Sequence, residues 1–475
     1  MVRAMTRPLS GIAALGFQAG DRSWRAEFSE TLALAWPIAL TQLGQIAMMT
    51  SDLALIGRLG EAAVAAAALA HLVLFGTFVL GMGLVSAVAP LAAQAFGARD
   101  PRMVRRALRV GLWAALLLGF PLTWLQLQGE AILLAAGQTP EAARLAHTYL
   151  SGLAWSLVPS WWFIALRGFM GAVNRPEPAL WITLIAIPAN AVVAYVLIYG
   201  TFGLPRLELL GAGVATTTIN VLMCVAGFWI CYTRPPFRKY HVLGRFWRPD
   251  WPLLGKLVVI GAPISGTFVL EYGLFGGAAL LMGWISTTAL AAHQIALQTA
   301  SILFMVPFGI GMAATVRVGH AVGRGDAAAT RRAGLAAIVL GAAFMTAMTL
   351  VVVSTRDLIP VLVLGSDPST ADTAALVAQL LLLGATFFIA DGIQTVAAGA
   401  LRGLNDTRVP LLLAATSFWV IGFVASYGLA FPAGMGAPGV WIGFSLGLAT
   451  YAILLVWRFH ALTGRHYLPA VPSAG

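Results

Sequence analysis

The sequence predicts an all-α membrane protein with twelve transmembrane helices arranged in two pseudo-symmetric six-helix lobes. Three observations lead to this fold class: long apolar runs, basic residues concentrated in alternate loops, and an internal repeat. Of the 475 residues, 59% are hydrophobic and only 10% are charged, whereas a soluble domain carries roughly 25% charged residues. Because so few charges do not cover a water-exposed surface, the net charge of +11 indicates basic membrane-protein loops rather than a nucleic-acid-binding module.

The apolar runs give the individual helices. A transmembrane helix needs about 20 mostly apolar residues, and twelve runs of this kind are separated by charged or Gly/Pro-rich stretches. In chain order, the predicted spans are 31–56, 64–93, 107–127, 145–170, 179–200, 211–233, 253–283, 288–316, 334–354, 375–401, 410–431 and 437–458.

The basic residues give the orientation of these spans. Of the 29 Lys and Arg residues, only Arg58, Arg144, Arg206 and Arg356 fall in one of the two sets of alternate loops. The positive-inside rule places the richer set in the cytoplasm. We therefore expect a multi-pass protein of the bacterial inner membrane with both termini cytoplasmic.

A repeat relates the two halves of the chain. When the chain is aligned with itself so that Pro37 meets Pro263, Gly83 meets Gly309 without a gap, and this pairing is called here the repeat alignment. Residues 165–168 and 400–403 both read Ala-Leu-Arg-Gly. Two six-helix halves of the same orientation form a parallel repeat, which is typical of transporters. The predicted parts are an N-terminal tail (1–30), an N-lobe (31–233), a cytoplasmic linker (234–252), a C-lobe (253–458) and a C-terminal tail (459–475).

Three acidic residues lie inside the predicted spans: Asp52, Glu271 and Asp391. A charge deep in the bilayer costs at least roughly 2.5 kcal/mol, so each acid is a candidate functional residue. The Lys and Arg residues that fall within the spans lie towards the cytoplasmic helix ends, so we expect no intramembrane Lys or Arg to be available to pair with these acids. Each must then be neutralised by a proton, a bound cation or a cationic substrate. The alternatives are headgroup water at the helix end for Asp52 and permanent protonation for Glu271 and Asp391.

Several polar side chains are candidate ligands or substrate contacts near these acids. Amide oxygens on the first, fifth and sixth spans suit a cation beside Asp52, although each amide also suits a helix-packing hydrogen bond. The candidates are Gln42, Gln45, Asn190 and Asn220 in the first half, with Tyr272 and Gln394 in the second. The sequence predicts no catalytic residues and no cofactor, since no Cys/His cluster, nucleophile pair or phosphate-binding loop is found.

Five stretches of the chain match the pattern of one known family: 37–60 with Asp52 inside, 90–100 (PLAAQAFGARD), 271–283, 291–294 (AAHQ) and 391–407 (DGIQTVAAGALRGLNDT). With these stretches the chain resembles, over nearly its whole length, the multidrug and toxic compound extrusion (MATE) family, NorM-type branch. The resemblance implies twelve helices in two lobes and efflux of organic cations driven by Na⁺ or H⁺. It maps the family's N-lobe acid to Asp52, its C-lobe pair to Glu271 and Asp391, and an asparagine position to Asn190.

We therefore predict a secondary antiporter that exports small organic cations or drugs by alternating access, with Na⁺ or H⁺ as the coupling ion. A Na⁺ site is expected at Glu271, Asp391 or Asp52. The lipid bilayer is an expected partner of the protein. We expect it to bind no nucleic acid, to need no obligatory protein partner and to be a monomer. The alternatives are a lipid-linked sugar flippase, which needs a basic central cavity and often has fourteen spans, and a channel or membrane-embedded enzyme.

Overall fold

A computed structural model describes residues 24–365 and 367–470, and the regular elements in this part of the chain are helices. Eleven are long and apolar enough to cross a membrane, and a twelfth span is a helix pair bent by 50°. Numbered α1 to α12, the spans are Trp24–Gly57, Glu61–Gly97, Pro101–Leu127, Pro140–Ala172, Glu177–Tyr199, Glu208–Thr233, Trp251–Ile285, Thr287–Gly323, Ala327–Ser354, Pro368–Leu383 with Ala385–Gly403, Arg408–Ala430, and Ala437–Gly464. The predicted fold class is confirmed.

The helices extend beyond the predicted apolar spans at both ends of the chain. Helix α1 begins at Trp24, so residues 24–30 belong to the first helix rather than to a tail, and α12 continues to Gly464. Charged residues are tolerated in a helix once it leaves the hydrocarbon region. A hydropathy criterion therefore predicts helices that are too short, starting too late in α1 and ending too early in α12. The rest of the predicted tails, residues 1–23 and 471–475, lies outside the described residues.

The repeat is visible as repeated local structure. Thr41 Oγ1 donates to the carbonyl of Pro37 at 2.7 Å, and Thr267 Oγ1, at the matching position of the second half, donates to the carbonyl of Pro263 at 3.0 Å. These matched bonds lie at the proline inside α1 and the proline inside α7. Sequence-matched positions thus adopt the same backbone arrangement in the two lobes.

The lobes meet through glycines that the repeat also relates. A Cβ on Gly83 of α2 would collide with the backbone of Ser265 on α7, and a Cβ on Gly309 of α8 would lie 2.8 Å from Cα of Ala39 on α1. In the repeat alignment, Gly83 matches Gly309 and Ala39 matches Ser265. Two equivalent helix crossings, α2 on α7 and α8 on α1, therefore form the interface, and each needs a residue without a side chain.

Interlobe bonding is confined to one end of the bundle, called here the linker end because residues 234–252 lie there. Ser265 Oγ donates to the carbonyl of Leu80 at 2.6 Å, and Gln94 Nε2 donates to the carbonyl of Gly403 at 2.9 Å. Farther from the linker, the rings of Phe75 and Tyr272 meet with centroids 4.9 Å apart. Throughout residues 24–365 and 367–470, every interlobe hydrogen bond or ion pair lies on the linker side of that ring contact.

Candidate cation site

The two C-lobe acids are joined by one glutamine. Gln394 Nε2 donates to Glu271 Oε1 at 3.0 Å and to Asp391 Oδ1 at 3.1 Å. Asp391 and Gln394 lie three residues apart on α10, and this spacing places both side chains on one face of the helix toward α7. Asp391 is 4% exposed and Gln394 is 3% exposed. The predicted acids from two distant segments are thus brought together, and Gln394 is part of the same site.

This arrangement holds two carboxyl groups together without a paired cation. In the described part of the chain, neither Glu271 nor Asp391 forms an ion pair with Lys, Arg or His. Two ionised carboxylates this close repel each other strongly where water is scarce. A proton or a cation between them removes the repulsion, so the occupancy of the site and its charge are tied together.

One basic residue that the sequence assigned to a loop belongs to α10. Arg402 lies in helix Ala385–Gly403, but among the described residues it forms no ion pair with Glu271 or Asp391. Its guanidinium carbon lies 4.9 Å from the ring centroid of Phe268, one helical turn before Glu271. A hydropathy criterion misses it because a long arginine side chain reaches into the bundle from a helix end.

The N-lobe acid has its own set of polar neighbours. Asn190 Nδ2 of α5 donates to Asp52 Oδ1 at 2.6 Å, and Thr216 Oγ1 of α6 donates to Asp52 Oδ2 at 3.1 Å. Asp52 is 7% exposed, so it is not an acid in headgroup water. Among the described residues, the buried Oδ1 of Asn190 has no hydrogen-bond partner. Beside a carboxylate, this oxygen is available to a cation or to the O–H of a protonated acid.

Thr216 was missed because a threonine inside a helix most often bonds its own backbone, as Thr216 also does with the carbonyl of Ala212 at 3.1 Å. The candidate ligand predicted from the sequence on this helix was Asn220, one turn after Thr216. Asn220 and Gln45 are half-buried and make no side-chain hydrogen bond with the residues described. The signal that could have found Thr216 is its spacing from Asn220: the two polar residues are four apart and so lie on one face of α6.

Two other predicted contacts point elsewhere. Gln42 Oε1 accepts a hydrogen bond from Arg167 Nη1 at 2.5 Å, and Gln42 lies about 15 Å from Asp52 along α1. Tyr272 packs on Phe75 across the lobe interface instead of bonding Glu271. Of the six predicted neighbours, Asn190 and Gln394 contact the acids in this arrangement.

The two sites lie at different depths. In the repeat alignment, Glu271 matches Gln45 and Asp52 matches Ala278. Asp52 is two helical turns beyond the position that matches Glu271, which is about 10 Å farther from the linker end along the helix. The lobes share a backbone plan, but each carries its acid at a place where the other has a neutral residue.

Comparison with known proteins agrees with this architecture. A sequence profile described as MatE matches residues 37–196 and 263–428. The chain is 65% identical over 464 residues to a probable multidrug resistance protein NorM of Rhodopseudomonas palustris, covering 98% of both chains. It is 60% identical over 439 residues to a protein of the same name from Bradyrhizobium diazoefficiens, covering 92% of this chain and 94% of that one.

A solved structure shows the same fold. The eukaryotic MATE transporter AtDTX14 superposes with a TM-score of 0.83 at 21% identity, covering 93% of this chain and 98% of that one. Its likeness is one of backbone arrangement, whereas the sequence profile and the NorM relatives carry the assignment to a family. The chain is a multi-pass membrane protein that belongs to the MATE family, in its NorM-type group.

Proposed function

We propose that this protein is a multidrug efflux antiporter that exports organic cations in exchange for Na⁺ or H⁺. The observation that carries this proposal is the pair Glu271 and Asp391, held together by Gln394 without an ion-pair partner in the described chain. Relatives at 65% and 60% identity are named probable multidrug resistance proteins, which supports drugs as the exported substrates.

The pair supplies the chemistry that coupling needs. Carboxylate oxygens suit either a proton or a hard cation such as Na⁺. Binding one positive charge reduces the repulsion between Glu271 and Asp391, and releasing it restores that repulsion. A third acid, Asp52, offers a carboxylate beside the Oδ1 of Asn190, which has no hydrogen-bond partner among the described residues. The coupling ion and the substrate are both positive, so they compete for the same negative charges.

The interlobe contacts support alternating access. The lobes are bonded at the linker end, and no hydrogen bond or ion pair joins them beyond Phe75 and Tyr272 within the described residues. A change of charge at Glu271, on the interface helix α7, acts beside Tyr272, whose ring contact with Phe75 marks the limit of the interlobe hydrogen bonds in the described residues. In this proposal the protein lies in the inner membrane with the linker end and both termini in the cytoplasm. The space between the lobes is then closed to the cytoplasm and faces outward.

The other functional classes fit less well. A flippase for lipid-linked sugars needs positive charge facing a pyrophosphate, whereas the two polar sites described above are built around carboxylates. An enzyme needs a reacting group, and a channel needs a continuous polar path across the membrane. The bridged acids Glu271 and Asp391 are explained without either feature. We propose a transporter without catalytic residues or cofactor that works as a monomer.

Transport in proteoliposomes tests the proposal. The purified protein is reconstituted and ethidium efflux is measured under a Na⁺ gradient and a proton gradient imposed separately. We expect E271Q and D391N to lose gradient-driven efflux, because an amide holds neither a proton nor a cation as a carboxylate does. D372N is the control, because Asp372 lies on the same span but is exposed. Efflux by both acid variants at the parental rate would refute the proposal, and single-channel currents would identify a channel.

A further inference from the structure

The linker between the lobes is packed on the N-lobe. The rings of Phe237 and Tyr240 lie against Phe169 of α4, with centroids 6.0 and 5.5 Å apart. Trp113 of α3 donates a hydrogen bond to the carbonyl of Phe246 at 2.9 Å and stacks on its ring. Because aromatic contacts hold it at both ends, the linker forms a surface of defined shape, and its outward-facing side chains have defined places.

A cavity of about 310 Å³ separates this linker from the end of α6. Its lining combines apolar side chains, among them Phe228 of α6 and Leu243 of the linker, with the basic side chains of Arg238 and His241. Sites for small ligands have volumes of roughly 300–1,000 Å³. The cavity is therefore large enough for a small ligand group, and it offers that group both apolar and basic contacts.

The positive charge of the linker is not used within the protein. Residues 234–252 contain five Lys or Arg and one acid, and that acid, Asp250, is already paired with Arg106 of α3 at 2.7 Å. The exposed side chains of Arg234 and Arg238 form no hydrogen bond or ion pair with the residues that the structure describes. Charge complementarity therefore favours a negatively charged partner for this surface.

The cavity adjoins the lipid-facing side of α6. Val225, Trp229 and Tyr232 are exposed, and spacings of four and three residues place them on one face of the helix. Tyr232, at the end of this face, also lines the cavity. Trp247 of the linker is 84% exposed, as suits the membrane interface, where Trp and Tyr are enriched. A molecule held in the cavity can therefore extend along α6 into the hydrocarbon region.

We propose that this cavity binds the phosphate headgroup of an anionic phospholipid, whose acyl chains lie along the exposed face of α6. Arg238 supplies the positive charge for the phosphate, and His241 and the hydroxyl of Tyr232 offer hydrogen bonds. With the linker end in the cytoplasm, the lipid comes from the cytoplasmic leaflet, where anionic headgroups attract basic segments beside helix ends. This lipid site is separate from the proposed coupling pair.

Other occupants match the surface less well. An exported organic cation carries the charge that Arg238 repels. The N-terminal residues 1–23 contain three arginines and one aspartate, so their net charge is repelled as well. A free phosphate has the right charge but leaves the apolar lining and the adjoining face of α6 without a partner. A phospholipid satisfies both the basic and the apolar parts.

Native mass spectrometry of the full chain, purified in detergent, tests the site. The protein is titrated with phosphatidylglycerol and, separately, with phosphatidylcholine, which has the same chains but no net charge. We expect phosphatidylglycerol to be retained preferentially. R238Q should weaken its retention about fivefold, the effect of one basic residue near an anionic surface, whereas R238K, which keeps the charge, should retain most of the affinity.

An arginine at the end of the C-lobe provides the matched control. Arg465 is exposed and follows α12, the last helix of the C-lobe as α6 is of the N-lobe, but it does not line the cavity. R465Q should therefore keep the parental affinity for phosphatidylglycerol. Y232A tests the apolar wall without changing the charge, and it should also weaken retention. Because Tyr232 is exposed, its truncation leaves the packing of the bundle intact.

The lipid site is overturned by any of four results. These are equal retention of the two lipids, parental affinity in R238Q or Y232A, equal losses in R238Q and R465Q, and displacement of phosphatidylglycerol by millimolar inorganic phosphate. Equal losses would indicate general attraction to a basic surface, and displacement would indicate a site for a free anion. Since these measurements involve no transport, such a failure leaves the coupling pair to be judged by the efflux of E271Q and D391N.

Discussion

Arg317 of α8 donates a hydrogen bond from Nη2 to Oε2 of Glu27 on α1 at 2.6 Å, and this ion pair joins the two lobes at the linker end. The side chains are 7% and 2% exposed, and Glu30, one turn later on α1, pairs with the same guanidinium. The proposed alternating access requires the lobes to separate at this end, and in that mechanism the buried pair is part of what holds this arrangement closed.

Neutralising Glu27 should favour separation of the linker end. Breaking a buried ion pair by removing one partner costs about 3–5 kcal/mol. Since Glu30 remains as a partner, we expect E27Q to lower the ratio of closed to open molecules by a smaller factor, about tenfold or 1.4 kcal/mol. Distances between spin labels on α1 and α8 near this end, measured by pulsed EPR, report the ratio.

The exposed pair Arg206 and Glu208, with side chains 60% and 59% exposed, gives the control. An exposed pair contributes little, so E208Q should leave the distance distribution as in the parent. An unchanged distribution in E27Q would show that the pair with Arg317 does not hold the lobes together.

The hydrogen bonds to Asp52 should matter for transport. T216V removes the donor to Asp52 Oδ2 while keeping the shape of the side chain. A hydrogen bond to a charged group contributes roughly 1.5–3 kcal/mol, so we expect about a tenfold or larger loss of efflux at limiting substrate. T218V is the matched control, because Thr218 donates only to the carbonyl of Val214 in its own helix. Equal losses in both variants would contradict a role for the Asp52 contact.

The fold was predictable from the sequence because hydropathy, basic-residue placement and the repeat each report a property of whole helices. The site was predictable only in part. Glu271 and Asp391 were found because an acid in a membrane span is costly wherever it lies, but their bridging by Gln394 depends on how α7 faces α10. Arg402 was placed outside the bundle, since the length of its side chain is invisible to a count of apolar residues.

The capping of α7 predicts a pH-dependent stability. Asp250 accepts hydrogen bonds from Arg106 Nε at 2.7 Å and from the backbone of Leu253 at 3.4 Å. Burial acts to raise the pKa of Asp250, but the bond and charge of Arg106, with the charge of Arg109, outweigh it and leave the pKa below its usual value. The stabilisation is therefore full above about pH 4, the unfolded value, and is lost as pH falls through the lower folded value.

D250N should lower stability at neutral pH by about 1 kcal/mol, the upper range for a partly exposed ion pair, because an asparagine still caps the helix but does not form the ion pair with Arg106. The difference from the parent should shrink as both proteins are taken below pH 4. Thermal unfolding in detergent across this pH range measures it. A difference that stays constant into acid would show that the charge of Asp250 is not the source of the stabilisation.

The glycine crossings predict a position-specific effect of one methyl group on α2. At Gly83 the added Cβ meets the backbone of Ser265, which does not rotate away as a side chain does, so G83A forces α2 and α7 apart. Gly76, two turns earlier on nearly the same face, has no heavy atom within 4 Å of its added Cβ. Alanine at Gly76 only gains helix propensity, about 0.5–1 kcal/mol.

The two substitutions should therefore differ in their effect: G83A lowers the stability of the closed arrangement, and G76A does not. We expect G83A to lower thermal stability by about 1–3 kcal/mol and to reduce the closed population in pulsed EPR, whereas G76A leaves both unchanged or slightly raised. Because the repeat matches Gly83 with Gly309, whose added Cβ lies 2.8 Å from Cα of Ala39, G309A should reproduce the G83A result at the second crossing. Parental behaviour of G83A and G309A would mean that the lobes do not depend on this close approach. A loss in only one would show that the duplicated crossings have taken different roles.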